Sequence, residues 1–345
     1  MQGHVKVSPA RWWHVPSVAH LLRESRRQRM AGGGALVWAS RWSPSLGLLQ
    51  SVWAAPVPGV RAPRSFVAEQ GGKAVGLGQM RPRREPHHWE VMYLAIEPEP
   101  AGVGPPRLRL VPDRTATRLA GEMCDAGVML GAERLFVRIP DDGAGFDVFR
   151  QVGFTPVVRE FTYYRPPGAP GATPAPQGAA ADVPGLRPQR RADAFGVLQL
   201  YLDCTPKVVQ MAEGKRSQTW DLAGAGLGRR LSRGGRVQRW VVERDARKVA
   251  WLRLSAQRRG PHQVRLMVSD RAADLLQPLL DFALGRLAAH PANGVVVRVR
   301  EHQALLMNAL AANGFESLDS HLLMVKQLAA RVLQRGFAPA LEKVV

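Results

Sequence analysis

The chain has 345 residues, 46% of them hydrophobic, which is long for one core and suits two domains of about 150 residues. It has no apolar run near the roughly 18 residues of a membrane span, and its N-terminus lacks a signal peptide's apolar stretch, so we expect neither a membrane-spanning nor an exported protein. Cys124 and Cys204 are its two cysteines and show no CxxC spacing, so we expect a soluble cytoplasmic protein without a metal or redox motif.

The formal net charge is +20, and only seven of the 48 basic residues are Lys. The arginines are spread through the whole chain, and most of them are explained by the compositional bias of proteins rich in Arg, Ala, Gly and Pro. The alternatives are a phosphate-bearing ligand or nucleic acid, because Arg suits bidentate phosphate contacts. The sequence has no zinc knuckle, basic-zipper heptad or RNP-type aromatic motif, so we do not expect nucleic acid to be the partner.

The first half predicts a regular order of elements. A helix in "PARWWHVPSVAHLLRES" is followed by a hairpin, "FVAEQGGKAVGLGQM", which turns at Gly71-Gly72. A third strand, "HWEVMYLAIEP", precedes a long helix over about 113–130. A buried strand, "RLFVRI", then leads to a short helix, Gly153-Phe154 and a last strand.

A linker is predicted at 165–185, where "RPPGAPGATPAPQGAAADVPG" consists almost entirely of Pro, Gly and Ala. Such a segment cannot build a packed core and behaves as a semi-stiff spacer. The sequence therefore predicts an N-terminal domain over 1–164, a C-terminal domain over 186–330 and a tail over 331–345.

The second half repeats the order of the first. A helix in "PQRRADAFGVLQLYLD" precedes a hairpin around Asp245-Ala246, then the strand of "PHQVRLMVSD" and a helix over about 270–289. The strand "GVVVRV", a shorter helix and Gly314-Phe315 lead to a last strand. The shared order indicates a tandem duplication.

Each half resembles a GNAT-superfamily N-acetyltransferase domain. The most specific fragment is "GAERLFVRIPDDGAGFDVFRQVGFTPVVREFTYYR", which resembles the C-terminal part of that family; the resemblance covers 5–165 more closely than 186–328. It implies an α/β fold (α+β, with a mixed sheet) made of two acyl-CoA N-acyltransferase domains in tandem, the second of them degenerate. It also implies transfer of an acetyl group from acetyl-CoA, the co-substrate, to a small-molecule or peptide amine.

In this family a splayed pair of parallel strands holds the pantetheine through backbone bonds, and a glycine-rich loop after the fourth strand cradles the pyrophosphate. The resemblance implies that the cofactor is bound on the fourth strand and the loop after it, by Leu94, Ile96, Gly102, Gly104, Arg107 and Arg109. The loop departs from the family pattern, because its leading basic residue is missing and Pro105 and Pro106 lack N–H donors. An ordinary solvated loop is the alternative. The corresponding stretch of the second half has no Gly.

The resemblance also implies a catalytic residue on the fourth strand. The family often uses a carboxylate there as general base, and Glu90 matches that place; an exposed strand residue is the alternative. His87 and His88 beside it are expected to form a solvated pair. The tyrosine that commonly serves the family as general acid is replaced by Phe149 in the first half and by Leu310 in the second.

The second half has Arg265 in the place predicted for Glu90, so no base is expected there. The altered loop and the missing acid keep open a rival from another class, a catalytically inactive GNAT-fold protein that binds or regulates.

Overall fold

The computed structural model describes residues 5–30, 37–39, 62–83, 85, 87–97, 114–141, 145–169, 183–221, 237–258, 260–290 and 293–328. The chain forms two compact units that are each discontinuous in sequence. The first unit comprises Met1–Val137, Asp147–Phe154 and Lys326–Val345, and the second comprises Arg138–Phe146 and Thr155–Val325. Within the described ranges, no helix is both long enough and apolar enough to cross a membrane.

The strands that begin in the first unit are β1 (Lys6–Pro9), β2 (Val37–Ala39), β3 (Arg64–Gln70), β4 (Lys73–Pro82), β5 (His88–Ile96) and β6 (Arg134–Pro140). Its helices are α1 (Val15–Met30), α2 (Arg114–Met129) and α3 (Phe146–Gln151), with a 3-10 turn at Trp12–His14. The sheet order is β1-β3-β4-β5-β6, in which β5 and β6 are parallel and the other neighbours antiparallel.

Both faces of the first sheet carry apolar residues. Val18 and Leu21 of α1 pack with Leu77 of β4 and Tyr93 of β5 in one core. On the other face α2 approaches closely, because a Cβ on Gly78 would lie 2.8 Å from the Met123 sulfur. A strand covered on both faces needs a nearly continuous apolar run, which explains why every residue of β5 is buried.

The strands of the second unit are β7 (Thr155–Arg165), β8 (Leu186–Pro188), β9 (Val237–Arg244), β10 (Arg247–Ser255), β11 (His262–Val268), β12 (Val295–Arg300) and β13 (Glu316–Gln327), of which β13 belongs to this unit as far as Val325. Its helices are α4 (Ala194–Asp203), α5 (Lys207–Glu213), α6 (Ser217–Trp220), α7 (Leu276–Ala288) and α8 (Ala304–Ala312), with 3-10 turns at Arg191–Asp193 and Asp270–Leu275. The sheet order is β13-β7-β12-β11-β10-β9-β8, in which β11 and β12 are the parallel pair.

The mixed α/β fold predicted from the sequence is confirmed, and both halves supply the same strands. "RLFVRI" forms β6 and "VVVRV" lies in β12, and each runs parallel to the strand that follows its hairpin. Asp245 and Ala246 turn the second hairpin with φ of +48° and +58°. The helix predicted over 270–289 is kinked near its start, since Ala272 has non-helical backbone angles.

The last strand of the first half, β7, belongs to the second unit, where it lies antiparallel to both β12 and β13. Residues 326–328 then return to the first unit, where the Leu328 amide donates to the Glu133 carbonyl over 2.8 Å. The linker predicted at 165–185 stays a prediction because residues 170–182 lie outside the described residues, as does the predicted tail.

Candidate functional site

Strand β5 contains a bulge near its middle. Tyr93 pairs with Gln79 of β4 and Val91 pairs with the adjacent Met80, so the register shifts by one residue at Met92 of β5. A bulge bends its strand and re-aims the side chains around it, and such irregularities are frequent next to active sites. The bulge therefore marks this part of β5 as a candidate site.

The ladder between β5 and β6 ends at the same point. It pairs His88–Val91 with Arg134–Val137, while β5 continues to Ile96. Because β4 pairs with the opposite edge along the whole of β5, a new partner beyond Val91 must use the edge that β6 has left. That partner is β2, whose Trp38 pairs with Leu94.

Glu90 lies one residue before the end of this ladder. Its side chain is buried, with 6% of the residue exposed, and the Arg81 guanidinium Nη2 lies 3.3 Å from its Oε2. The two residues are directly opposed on β4 and β5, so their side chains share one face of the sheet. The alternative of an exposed strand residue is wrong, and Glu90 is instead a buried carboxylate held by a cation.

His88 occupies the same face of β5 as Glu90, two positions earlier. Its Nε2 lies 3.3 Å from Nη1 of Arg134, and a guanidinium can only donate, so the imidazole accepts at Nε2. Burial, and then the Arg134 charge, lower the pKa of His88 to about 4, which keeps it neutral at neutral pH. The expectation of a solvated histidine pair is wrong for His88; His87 is exposed, with its Nδ1 3.0 Å from the Gly131 carbonyl oxygen.

The predicted cofactor-binding residues divide into two groups. Leu94 and Ile96 are buried in β5, where they pair with Gly78 and Gly76 of β4, so only their backbone groups could meet a ligand. The other four lie outside the described residues: Gly102, Gly104, Arg107 and Arg109. Binding of acetyl-CoA by these six residues stays a prediction.

The two positions at which the family commonly places its acidic tyrosine are apolar and buried. Phe149 of α3 stacks edge-on against Phe154, with ring centroids 5.3 Å apart. Leu310 of α8 lies in the core of the second unit. Neither side chain can donate a proton, so these sites serve packing.

The second unit has a different residue at the place of Glu90. Equivalent residues in the two units can be found by counting back from the end of each parallel ladder. The second-to-last pair is Glu90 with Phe136 in the first unit and Gln263 with Val296 in the second. Arg265 lies one residue beyond the end of the ladder. The expectation that Arg265 takes the place of Glu90 is therefore wrong, because Gln263 has the ladder position of Glu90.

A charged cluster in the second unit was not predicted. Glu160 and Glu213 are 8% and 3% exposed, and Arg300 forms ion pairs with both. Burial raises the pKa of each carboxyl, but the neighbouring cations outweigh it and hold both pKa values well below their usual range: Arg138 and Arg300 for Glu160, Arg300 and Lys215 for Glu213. The sequence signal was weak, since these residues are far apart along the chain.

Compared by sequence, the chain matches no protein-family model and no curated protein. Compared by structure, it is similar to a tandem GNAT protein from the clavulanic acid biosynthesis pathway, with a TM-score of 0.56 and 15% identity over 94% of this chain and 99% of that one. It is similar as well to a GCN5-related N-acetyltransferase from Sphaerobacter thermophilus, with a TM-score of 0.52 and 15% identity over 94% and 96%.

A third similar structure is the GCN5-related glucosamine N-acetyltransferase region of a fungal multi-domain GH3 β-N-acetylglucosaminidase, with a TM-score of 0.54 and 13% identity; it covers 94% of this chain and 38% of that one. In the described part of the chain, no group of three or more His, Cys, Asp or Glu could hold a metal ion. At these identities the likeness concerns architecture. The chain therefore has the tandem GNAT fold.

Proposed function

We propose that the chain is an N-acetyltransferase that moves an acetyl group from acetyl-CoA to an amine, and that the first unit carries the reaction. The observation that supports this most directly is the coincidence of three features in β5: the end of the ladder with β6, the bulge at Met92 and the buried carboxylate of Glu90. The second unit has a parallel ladder that ends in the same way, but it has neither the bulge nor the carboxylate.

Glu90 is the general base in this proposal. It takes a proton from the acceptor ammonium, and the lone pair freed on the nitrogen attacks the thioester carbonyl carbon of acetyl-CoA. The nitrogen of the tetrahedral adduct loses its second proton to solvent, and collapse of the adduct breaks the carbon–sulfur bond and releases CoA as the thiolate. With Phe149 at the place of the usual acid, the thiolate takes its proton from solvent.

Two neighbours support Glu90. Arg81 fixes the carboxylate by its ion pair on the opposed strand, and so orients the oxygen that must accept the proton. His88, on the same face, is neutral, and its Nε2 already accepts a hydrogen bond from Arg134. Glu90 is therefore the proton acceptor on this face. The acceptor in this proposal is a small-molecule or peptide amine, and the protein acts in the cytoplasm.

A second candidate is a GNAT-fold protein without catalytic activity, and one observation favours it. The antiparallel pairing of Trp38 with Leu94 uses the edge of β5 beyond the ladder, where the family resemblance would place the pantetheine. If β2 stays paired with this edge of β5, the protein should bind acetyl-CoA weakly or not at all.

Calorimetric titration with acetyl-CoA separates the two candidates, and release of free CoA thiol in the presence of a panel of primary amines then tests catalysis. We expect saturable binding with one site per chain and amine-dependent thiol release. Absence of acetyl-CoA binding would replace the enzyme by the inactive protein.

A further inference from the structure

The first helix of the second unit is apolar on two opposite sides. On its inner side α4 contributes Val197 and Leu200 to a core with Trp251. Phe195 and Leu202 lie two helical turns apart on the other side, and both are exposed. The side of a helix that faces away from the core is usually polar. A second apolar side therefore indicates a contact outside the unit.

The next helix extends this apolar side. Gln210 of α5 donates from Nε2 to the Leu202 carbonyl at the end of α4, over 2.7 Å. α5 exposes Val208 and Met211, which are three residues apart and therefore neighbours on the helix surface. We call Phe195, Leu202, Val208 and Met211 the outer apolar face. Exposed apolar residues that stand alone need no explanation, but a group of them marks an interaction surface.

The charges that flank the outer apolar face are mostly positive. From residue 190 to residue 216, a stretch that the structure describes throughout, the exposed charged residues are four cations and one acid: Arg190, Arg191, Lys207 and Arg216 against Asp203. The two other acids of the stretch, Asp193 and Glu213, are buried and paired with cations. A partner that complements this surface is therefore both apolar and anionic.

The shape and charge of the surface favour a membrane over a protein. Phe195, Val208 and Met211 keep 61%, 65% and 71% of their surface exposed, so they project from the helices. A protein partner would need a matching pocket for each of them, whereas the interface of a bilayer accepts projecting side chains. A second copy, joined symmetrically through the same face, would bring the surplus positive charges of both copies together.

We propose that the second unit docks on the surface of an anionic phospholipid bilayer through the outer apolar face. Its apolar side chains enter the boundary between headgroups and acyl chains, and the flanking cations contact the lipid phosphates. Docking of this kind needs no membrane-spanning helix. The proposal does not rest on acetyl transfer by the first unit.

The experiment is co-sedimentation of the full chain with lipid vesicles at about 150 mM sodium chloride. One set of vesicles contains equal parts of phosphatidylglycerol and phosphatidylcholine, and the other contains phosphatidylcholine alone. Because a net charge of +20 attracts any anionic surface, each variant has a control that changes the charge equally. Met211→Ser is compared with Met129→Ser at the end of α2, where Met129 is likewise 71% exposed. Arg191→Gln is compared with Arg247→Gln, an exposed arginine at the start of β10.

We expect wild type to bind the anionic vesicles saturably and the neutral vesicles at least about tenfold more weakly. Met211→Ser should raise the lipid concentration for half-maximal binding about tenfold, the lower end of what burial of a Met side chain contributes. Arg191→Gln should raise it about fivefold, the effect of one cation near the membrane surface. Met129→Ser and Arg247→Gln should match wild type.

Three results would overturn the proposal. The first is failure of wild type to bind anionic vesicles, or equal binding to neutral ones. The second is an equal loss of binding in Met211→Ser and Met129→Ser, which would mean that the net charge alone attracts the vesicles. The third is a wild-type dimer in sedimentation without lipid that Met211→Ser dissociates, which would assign the outer apolar face to a second copy.

Discussion

Arg81 and Glu90 are opposed residues on β4 and β5, and their side chains form an ion pair over 3.3 Å from Nη2 to Oε2 on a largely buried face of the first sheet. The pair fixes the direction of a carboxylate at the point where β5 leaves β6. The strand register thereby positions the group that the proposed reaction needs as a base.

Replacing Glu90 by Gln keeps the shape of the side chain and removes its basicity. General-base help is worth about 10²- to 10⁴-fold in rate, so Glu90→Gln should lower kcat by that order with nearly unchanged affinity for acetyl-CoA. Steady-state thiol release and calorimetry measure the two quantities. Glu97→Gln, which removes a partner of Lys73 just beyond β5, is the control and should leave both unchanged. Wild-type turnover in Glu90→Gln would refute the assignment of the base.

The pairing of β2 with β5 predicts a variant that binds acetyl-CoA better. Proline in place of Trp38 removes a backbone donor and should weaken the β2–β5 contact. If β2 competes with the ligand, affinity should rise about tenfold, the equivalent of about 1.4 kcal/mol in strand pairing. Val7→Pro in β1, a strand that pairs with β3 instead, is the control. Unchanged affinity in Trp38→Pro would show that β2 does not guard the ligand site.

Two glycines near the ends of the predicted linker should respond differently to Ala. Both have positive φ, +75° at Gly168 and +77° at Gly185, but only a Cβ at Gly185 would meet backbone, 2.7 Å from the Glu243 carbonyl oxygen. Gly168→Ala should cost about 1 kcal/mol of unfolding free energy through backbone strain alone. Gly185→Ala should cost clearly more, measured by urea denaturation of both. Equal costs would mean that the clash at Gly185 relaxes freely.

The buried pair of Glu213 and Arg300 should govern stability in acid. The pKa of Glu213 is lowered in the folded protein, so its contribution is complete above the unfolded pKa of about 4.3 and is lost as pH falls below it. At pH 7, Glu213→Gln should lower the unfolding free energy by about 3 kcal/mol. The unfolding free energy of this variant should also fall less steeply than that of wild type as the pH is lowered. Asp274→Asn removes an exposed partner of Arg244 and should change little. A flat acid profile in wild type would contradict this account.

The burial of neutral His88 predicts a second dependence of the unfolding free energy on pH, at milder acidity. Its folded pKa of about 4 lies below the unfolded value of about 6.5, so protons favour the unfolded chain and stability falls as pH drops from 6.5 toward 4. The slope from this group is about 1.4 kcal/mol per pH unit. Urea denaturation of wild type and His88→Gln at pH 7.5 and 5 should show the difference between them shrinking at the lower pH. A constant difference would mean that His88 is not buried in its neutral form.

Elements with a local signal could be predicted from the sequence. Gly71 and Gly72 turn the first hairpin with positive φ, and the apolar run "RLFVRI" indicated the buried strand β6. The bulge at Met92 could not be predicted, because a bulge is a property of the register between two strands. The three residues of β2 are too few to show a period.

In the candidate site, too, some residues could be indicated from the sequence and others are brought together only by the fold. Glu90 was singled out as a candidate because the family resemblance gave it a place on the fourth strand, whereas its partner Arg81 follows from strand register. The cluster of Glu160, Glu213 and Arg300 was missed since its members come from a strand, a helix and a second strand far apart in sequence. Arg265 was misplaced by two positions, because an alignment of letters carries no information on where a parallel ladder ends.

The first unit is completed by residues 326–328, which follow the second unit along the chain. Leu328 bonds to Glu133, and its Cδ1 would lie 3.0 Å from a Cβ on Gly127 of α2. During synthesis, a ribosome must translate the second unit as far as Leu328 before the first unit can be completed. A gene fragment that stops after the first half would therefore encode an unfinished fold, and we expect it to need the remaining chain, supplied in cis or as a second fragment, before it becomes resistant to proteases.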